Sequence, residues 1–330
     1  LTQLSNGTLY QNKFNGMLYN NSNSLGGAQD IDARAAAAAV VPLDADGGPS
    51  SNGKIGVVAI GMSNWTEEIC VGSNANADPA AGCATGTFMQ QAEAAQQAGT
   101  VNSQIVFVDC AQAGQDAGDW AVSGSGAWSE CLNSRLPATG LTAKQIEVVL
   151  WKEGDIQPAS NNLSPLSAMH GSVCTKRQTK TIDACFYEQQ TAKAARVVRK
   201  KFKSVQLMFL HSRIYGGYAN LVGSTENPEP YAYEYGFATK WLIEAQGKQL
   251  GGGGVDPIAG NLSLKKSPVL VWGPYFWASG PIPRADGLVW LQSDFDASDG
   301  THPTESGWTK VANLMMSFYT SSPYATPWFN

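Results

Sequence analysis

The chain has 330 residues, enough to bury a large core in one α/β domain or two smaller ones. Charged residues make up 15% of it, below the roughly 25% usual for soluble domains, and Gly, Asn, Ser and Ala fill the gap, a composition that suits loop-rich secreted proteins. A formal net charge of −5 gives nucleic acid and anionic membranes no electrostatic reason to bind, and no apolar run approaches the roughly 18 residues of a membrane span.

Residues 1–50, rich in Asn, Gly and Ser with an Ala run at Ala35–Ala39, read as an irregular surface lead-in with one short helix, packed on a single domain over 51–330. Strands are expected at Ile55–Ile60, Gln104–Asp109, Ile146–Trp151, Val205–Leu210 and Pro268–Trp272, where apolar residues run without interruption. Helices are expected between them at Thr87–Ala98, Ile182–Lys203 and Tyr231–Gln249. The Gly251–Gly254 run reads as a mobile surface loop, and a last helix is expected after Pro303, a residue suited to the first helical position. Continuous apolar strands alternating with helices predict an α/β fold with a mainly parallel sheet covered on both faces.

Ligands of such sheets sit beyond the carboxyl ends of the strands. The segments there are Gly61-Met62-Ser63-Asn64-Trp65, Cys110-Ala111-Gln112-Ala113-Gly114-Gln115, Lys152-Glu153-Gly154-Asp155 and His211-Ser212-Arg213-Ile214-Tyr215. Polar and glycine-rich, they are expected to converge on one edge. Ser63 is the candidate nucleophile, which needs a base to take its proton. Capping the next helix is the plainer role for it. His302 is the candidate base, and Asp299, three residues earlier, the acid that orients it. Asp294 and Asp296 are the nearby rivals for that last role.

Of the other two histidines, His211 reads as a hydrogen-bonded core residue and His170 as a loop residue without chemistry. Gly114 offers a backbone N–H to an oxyanion or is an ordinary helix-start glycine. Lys152 is expected to pair with Glu153 or Asp155. Glu153, Arg213, Tyr215 and Trp277 are candidate substrate contacts, because aromatic faces and hydrogen-bonding groups suit a sugar ring. Packed tyrosines around Asn227-Pro228-Glu229-Pro230-Tyr231 are the structural alternative.

Six cysteines allow 15 connectivities. Spacing favours three local bridges, Cys70–Cys83, Cys110–Cys131 and Cys174–Cys185. A structural zinc is disfavoured by scarce His and the lack of any Cys-x-x-Cys pair, so no metal and no cofactor are expected. An even cysteine count and low charge point to a secreted or periplasmic protein, and the start at Leu1 is expected to reflect processing.

Gly61-Met62-Ser63-Asn64, Trp151-Lys152-Glu153-Gly154-Asp155 and Asp299-Gly300-Thr301-His302-Pro303 together resemble the SGNH (GDSL-like) hydrolase superfamily. They are most similar to its sialate O-acetylesterase and acetyl xylan esterase-like branch, with its Gly-Gln-Ser-Asn and Trp-x-Gln-Gly-Glu segments. The resemblance implies a three-layer, flavodoxin-like α/β/α sandwich and metal-free serine esterase chemistry. It implies Ser63 as nucleophile, His302 as base, Asp299 as orienting acid, and oxyanion N–H groups from Ser63 and Gly114. Glu153 departs from it, because the family places a neutral Asn or Gln there and an ionised carboxylate would oppose an oxyanion.

The expected function is hydrolysis of an ester, O-acyl groups on a carbohydrate first, with a small-molecule or polysaccharide substrate. A lipase, aryl esterase or thioesterase on the same scaffold is the alternative within enzymes. A carbohydrate-binding protein without turnover is the alternative outside them, and a structural surface protein has only the Asn/Gly-rich amino terminus behind it. The oligomeric state is left open.

Overall fold

The computed structural model describes residues 9–19 and 22–330, so residues 1–8 and 20–21 of the expected lead-in lie outside the described residues. Its first elements are a small antiparallel hairpin of β1 (Leu9–Tyr10) and β2 (Phe14–Asn15) and the helix Gly27–Ala39. That helix forms because its sequence is alanine-rich, and it buries the Ala33, Ala36 and Ala37 face.

A five-stranded, wholly parallel sheet follows: β3 (Ile55–Gly61), β4 (Ile105–Asp109), β5 (Ile146–Lys152), β6 (Leu207–Leu210) and β7 (Val269–Trp272), in spatial order β4-β3-β5-β6-β7. The strands begin and end within two residues of the apolar runs. Each alternates its side chains between two cores. Val57 and Ala59 of β3, Val148 and Leu150 of β5, and Leu207 and Phe209 of β6 face one side. Helices Gly27–Ala39, Phe88–Gln97 and Glu305–Tyr319 cover that side through Ala33, Phe88, Val311, Met315 and Tyr319. Val58, Ile60, Val149, Trp151, Met208 and Leu210 face the other, under helices Asp183–Lys201 and Tyr231–Leu250 and the packed Trp120 and Trp128. The result is the expected α/β/α sandwich.

Three disulfides join Cys70 to Cys83, Cys110 to Cys131 and Cys174 to Cys185. No helix of the described residues is long and apolar enough to cross a membrane. The helix expected after Pro303 is Glu305–Tyr319, and a short further helix, Thr326–Phe329, follows it; Pro303 itself precedes the first of these rather than opening it. Pro303 pairs with Phe295 in an isolated bridge, and the helix starts at Glu305 behind Thr304. The reason is that this stretch is held extended against the preceding loop, where Asp296 N–H donates to the His302 carbonyl at 2.8 Å and Thr304 N–H to the Asp294 carbonyl at 2.9 Å.

The interior holds an unusual number of carboxyl groups. Burial pushes Asp109 and Asp116 up to about 6, Glu234 to about 7 and Glu147 to about 8, and raises Glu153, Asp183 and Glu188 well above the carboxylate range. Between the unfolded and folded values of each group the folded chain holds the extra proton. Stability therefore falls as pH rises through that window. Thermal unfolding followed by circular dichroism is expected to give a Tm that declines steadily from about pH 5 to about pH 8. A Tm that rises over this range would contradict the neutral state of these carboxyls.

Candidate active site

The sheet's topological switch lies at β3, whose neighbours β4 and β5 are reached in opposite directions; crevices at such points hold ligands. Gly61 ends β3 under close constraint. A Cβ there would stand 2.4 Å from the Trp65 Cβ and 2.6 Å from the Lys152 carbonyl oxygen. The chain then turns sharply at Met62, and Ser63 opens the helical turn Ser63–Thr66, which continues as a wider π turn through Glu67–Val71. Ser63 thus stands at a helix start, where backbone N–H groups point outward and the dipole favours negative charge.

The distal loop reaches this serine. His302 Nε2 is 2.7 Å from Ser63 Oγ, and His302 Nδ1 is 2.7 Å from Asp299 Oδ2. The other Asp299 oxygen accepts the Thr301 and His302 backbone N–H groups at 2.7 and 2.9 Å, so the carboxylate is locked against the ring. A carboxylate on Nδ1 sets the tautomer that leaves Nε2 free to accept the serine proton. The rival acids are otherwise engaged. Asp294 pairs with Lys310 and caps Leu291, while Asp296 accepts from Ser298, whose hydrogen bonds hold it below the usual carboxylate range.

The loop is tied to the nucleophile turn through a residue whose importance is not visible in its motif. Asn64 Nδ2 donates to the Thr301 carbonyl at 2.7 Å, and Asn64 Oδ1 accepts from Arg213 Nη2 at 2.9 Å. On the other flank, Thr66 Oγ1 donates to Asp109 Oδ2, and Asp109 Oδ1 accepts from Ala111 N at 3.0 Å. Arg135 Nη1 donates to the Ala111 carbonyl at 2.7 Å, and the Cys110–Cys131 bridge pins the same strand end. These ties hold the loop that carries Gly114. With φ of +73° and no atom within 4 Å of where a Cβ would stand, Gly114 presents backbone in a left-handed conformation at an open wall.

Ser63, Gly114, Asp299 and His302 line one open cavity of about 540 Å³, together with Glu67, Asn74, Asn76, Ile156, Glu226 and Asp296. No Lys or Arg stands among its described lining residues. Among the described residues, no cluster of three or more His, Cys, Asp or Glu could hold a metal.

The four candidate substrate contacts need correction: none of them lines this cavity. Glu153 is fully buried, and neither of its carboxyl oxygens has a hydrogen-bond partner among the described residues. Burial, then the nearby Asp116, pushes its pKa up, although Arg213 acts the other way. Fully buried and outside the cavity lining, Glu153 does not stand at the position of an oxyanion donor. Arg213 is also buried, behind Asn64. Tyr215 and Trp277 meet edge-on in an aromatic cluster with Tyr218 and Tyr233, and Trp277 Nε1 donates to Glu229 at 2.6 Å. That is the packed-tyrosine alternative.

Lys152 also departs from expectation. It pairs with neither Glu153 nor Asp155 but with Glu68, both partners fully buried. His211 is the hydrogen-bonded core histidine expected of it, between the Trp151 carbonyl and the Tyr319 hydroxyl, with burial pushing its pKa down to about 3. The cavity residues that sequence reasoning passed over are Glu67, Asn74, Asn76 and Glu226. For Glu67 a signal existed: it follows Ser63 by four positions, the spacing that shares a helix face.

No family model matches the chain, and no curated protein matches it either. Among solved structures it is similar to a salicylyl-acyltransferase, SsfX3, from a tetracycline biosynthetic pathway, at 13% identity and a TM-score of 0.39. The match covers 84% of this chain and 58% of that one, so this chain spans less than two thirds of the other protein's length.

Proposed function

We propose that the chain is a secreted or periplasmic serine esterase, of the SGNH type nearest the sialate O-acetylesterase and acetyl xylan esterase branch, that removes short O-acyl groups from a carbohydrate. The Ser63–His302–Asp299 relay opening into one polar cavity carries the reading. Residues 51–330 form the catalytic domain in this proposal, with the amino-terminal segment packed on it. Three disulfides favour the oxidising compartment.

Ser63 Oγ attacks the ester carbonyl carbon as its proton passes to His302 Nε2. Asp299 holds the Nδ1–H and stabilises the imidazolium. The oxyanion rests against the N–H groups of Ser63 and Gly114. Collapse of the tetrahedral intermediate breaks the C–O bond to the sugar, and His302 returns its proton to the departing alkoxide oxygen. Water then attacks the acyl-Ser63 ester, His302 takes its proton and gives it back to Ser63, and the carboxylic acid leaves.

The cavity wall supports a neutral, hydroxylated alcohol. Asn74, Asn76 and Ser73 offer hydrogen-bonding side chains, whereas Glu226, Asp296 and Asp299 disfavour an anionic substrate such as a nucleotide thioester. Hydrolysis of p-nitrophenyl acetate, butyrate and octanoate beside acetylated xylan separates the alternatives. A kcat/KM at least about tenfold higher for acetate than for octanoate is expected, with acetate released from the polymer. A preference for octanoate would turn the assignment to a lipase. No turnover of any ester would leave a carbohydrate-binding protein.

A further inference from the structure

We propose that Glu67 is the specificity residue of this site, holding a hydroxyl of the sugar next to the scissile ester through a hydrogen bond from its carboxyl group. The inference rests on the esterase reading and extends it to the alcohol side of the substrate.

Glu67 sits one helical turn after Ser63 and lines the same cavity. Only 4% of the residue is exposed, and its Oε2 is buried without a hydrogen-bond partner among the described residues. Some buried carboxyls here have structural partners, as Asp109 with Thr66 and Ala111, Asp294 with Lys310 and Glu68 with Lys152. Others, such as Glu153 and Asp183, have unpartnered oxygens but do not line the cavity; Glu67 does. Oε2 is closed to solvent, so a ligand meets the carboxyl through its other oxygen, at the cavity wall, and a hydrogen bond there offsets part of the cost of burying the group. A ligand hydroxyl, donor and acceptor at once, supplies that bond.

The charges around Glu67 decide which form it takes. Burial raises its pKa most, to about 9, followed by the neighbouring Glu68 and by Asp299 and Asp296 of the distal loop, with Lys152 of β5 opposing them. Glu226 also faces the cavity. At neutral pH the group is therefore a carboxylic acid, which donates one hydrogen bond and accepts others. It suits a neutral polyol and gains nothing from a cation. Ionisation would remove the donor and add a negative charge beside Asp296, Asp299 and Glu226 in the same cavity.

The test uses the whole chain with two substrates: a mono-O-acetylated methyl xyloside, which carries hydroxyls beside the ester, and p-nitrophenyl acetate, which has none. The readout is the ratio of their kcat/KM values from about pH 6 to about pH 10 for the parent, Glu67→Gln and Glu67→Leu. Glu67→Leu is expected to lower the ratio about 10- to 100-fold at pH 7, mainly through KM for the xyloside. In the parent the ratio is expected to fall as pH passes about 9, and Glu67→Gln, which keeps an N–H donor without ionising, is expected to abolish that fall.

A ratio that Glu67→Leu leaves alone overturns the proposal, because both substrates then depend on Glu67 equally or not at all. If the leucine variant does not fold, the glutamine variant decides: an alkaline fall that survives in it overturns the proposal. A parent that hydrolyses p-nitrophenyl acetate but ignores the xyloside overturns it while sparing the esterase reading. A parent inactive on both brings down the esterase reading as well.

Discussion

Ser63→Ala, His302→Ala and Asp299→Asn are each expected to lower ester turnover by several orders of magnitude while leaving the fold intact. Ser63 Oγ, His302 Nε2 and Nδ1, and Asp299 Oδ2 form one chain of hydrogen bonds at 2.7 Å. Removing the serine removes the atom that forms the acyl-enzyme. Removing the imidazole leaves the hydroxyl without a base. The asparagine variant keeps the shape but stabilises the wrong tautomer, which in such relays costs about 10⁴ in kcat. The three losses should not add, because the residues act as a unit. The measurement is kcat on p-nitrophenyl acetate for single and double variants, with far-UV circular dichroism and a thermal melt for each. A loss below about tenfold for any single variant would contradict the relay.

Lys152→Met is expected to be the most damaging change to stability outside the aromatic core. Lys152 and Glu68 pair with no solvent exposure on either side chain, beneath the nucleophile turn. The ammonium also lies 5.5 Å from the Trp65 ring centroid and 5.8 Å from that of Phe276. Burial and the neighbouring Arg213 lower the Lys152 pKa, and Glu68 counters them. Breaking such a pair on one side leaves a buried charge uncompensated and typically costs about 3–5 kcal/mol. The double variant Lys152→Met with Glu68→Leu is expected to regain most of that loss, because an apolar pair of similar volume needs no desolvation of charge. Urea unfolding of parent, single and double variants reads both numbers. A single variant that loses less than about 1 kcal/mol would remove this pair from the list of structural determinants.

The strands were legible because they are buried on both faces, so their apolar runs are continuous and stand out against a polar chain. The candidate nucleophile and base were legible as candidates for a different reason: Ser63 follows such a strand immediately, and Asp299 and His302 sit on one short turn. The interactions between these pieces were not legible. Lys152 lies beside Glu153 and Asp155 in sequence but meets Glu68, 84 positions away, because it is the last residue of β5 and its side chain is buried where Glu68 also lies, while the chain beyond it leaves the strand. Glu153 follows the strand where a substrate contact was expected, yet the chain folds it inward, and Gly154 is packed so closely that a Cβ would stand 2.5 Å from Asn227 Oδ1. Asn64 reads as part of a motif, and nothing in its neighbours tells that its amide spans Arg213 and the Thr301 carbonyl. Such long-range polar contacts depend on where loops return, which periodicity does not encode.

The most direct test of the central claim is to treat the chain with a fluorophosphonate ester, which phosphonylates activated serines, and to map the adduct by peptide mass spectrometry. The relay predicts one adduct, on Ser63, formed in parallel with loss of esterase activity and suppressed by His302→Ala. A chain that hydrolyses esters yet carries the adduct on another serine, or labels Ser63 equally well without His302, would contradict it.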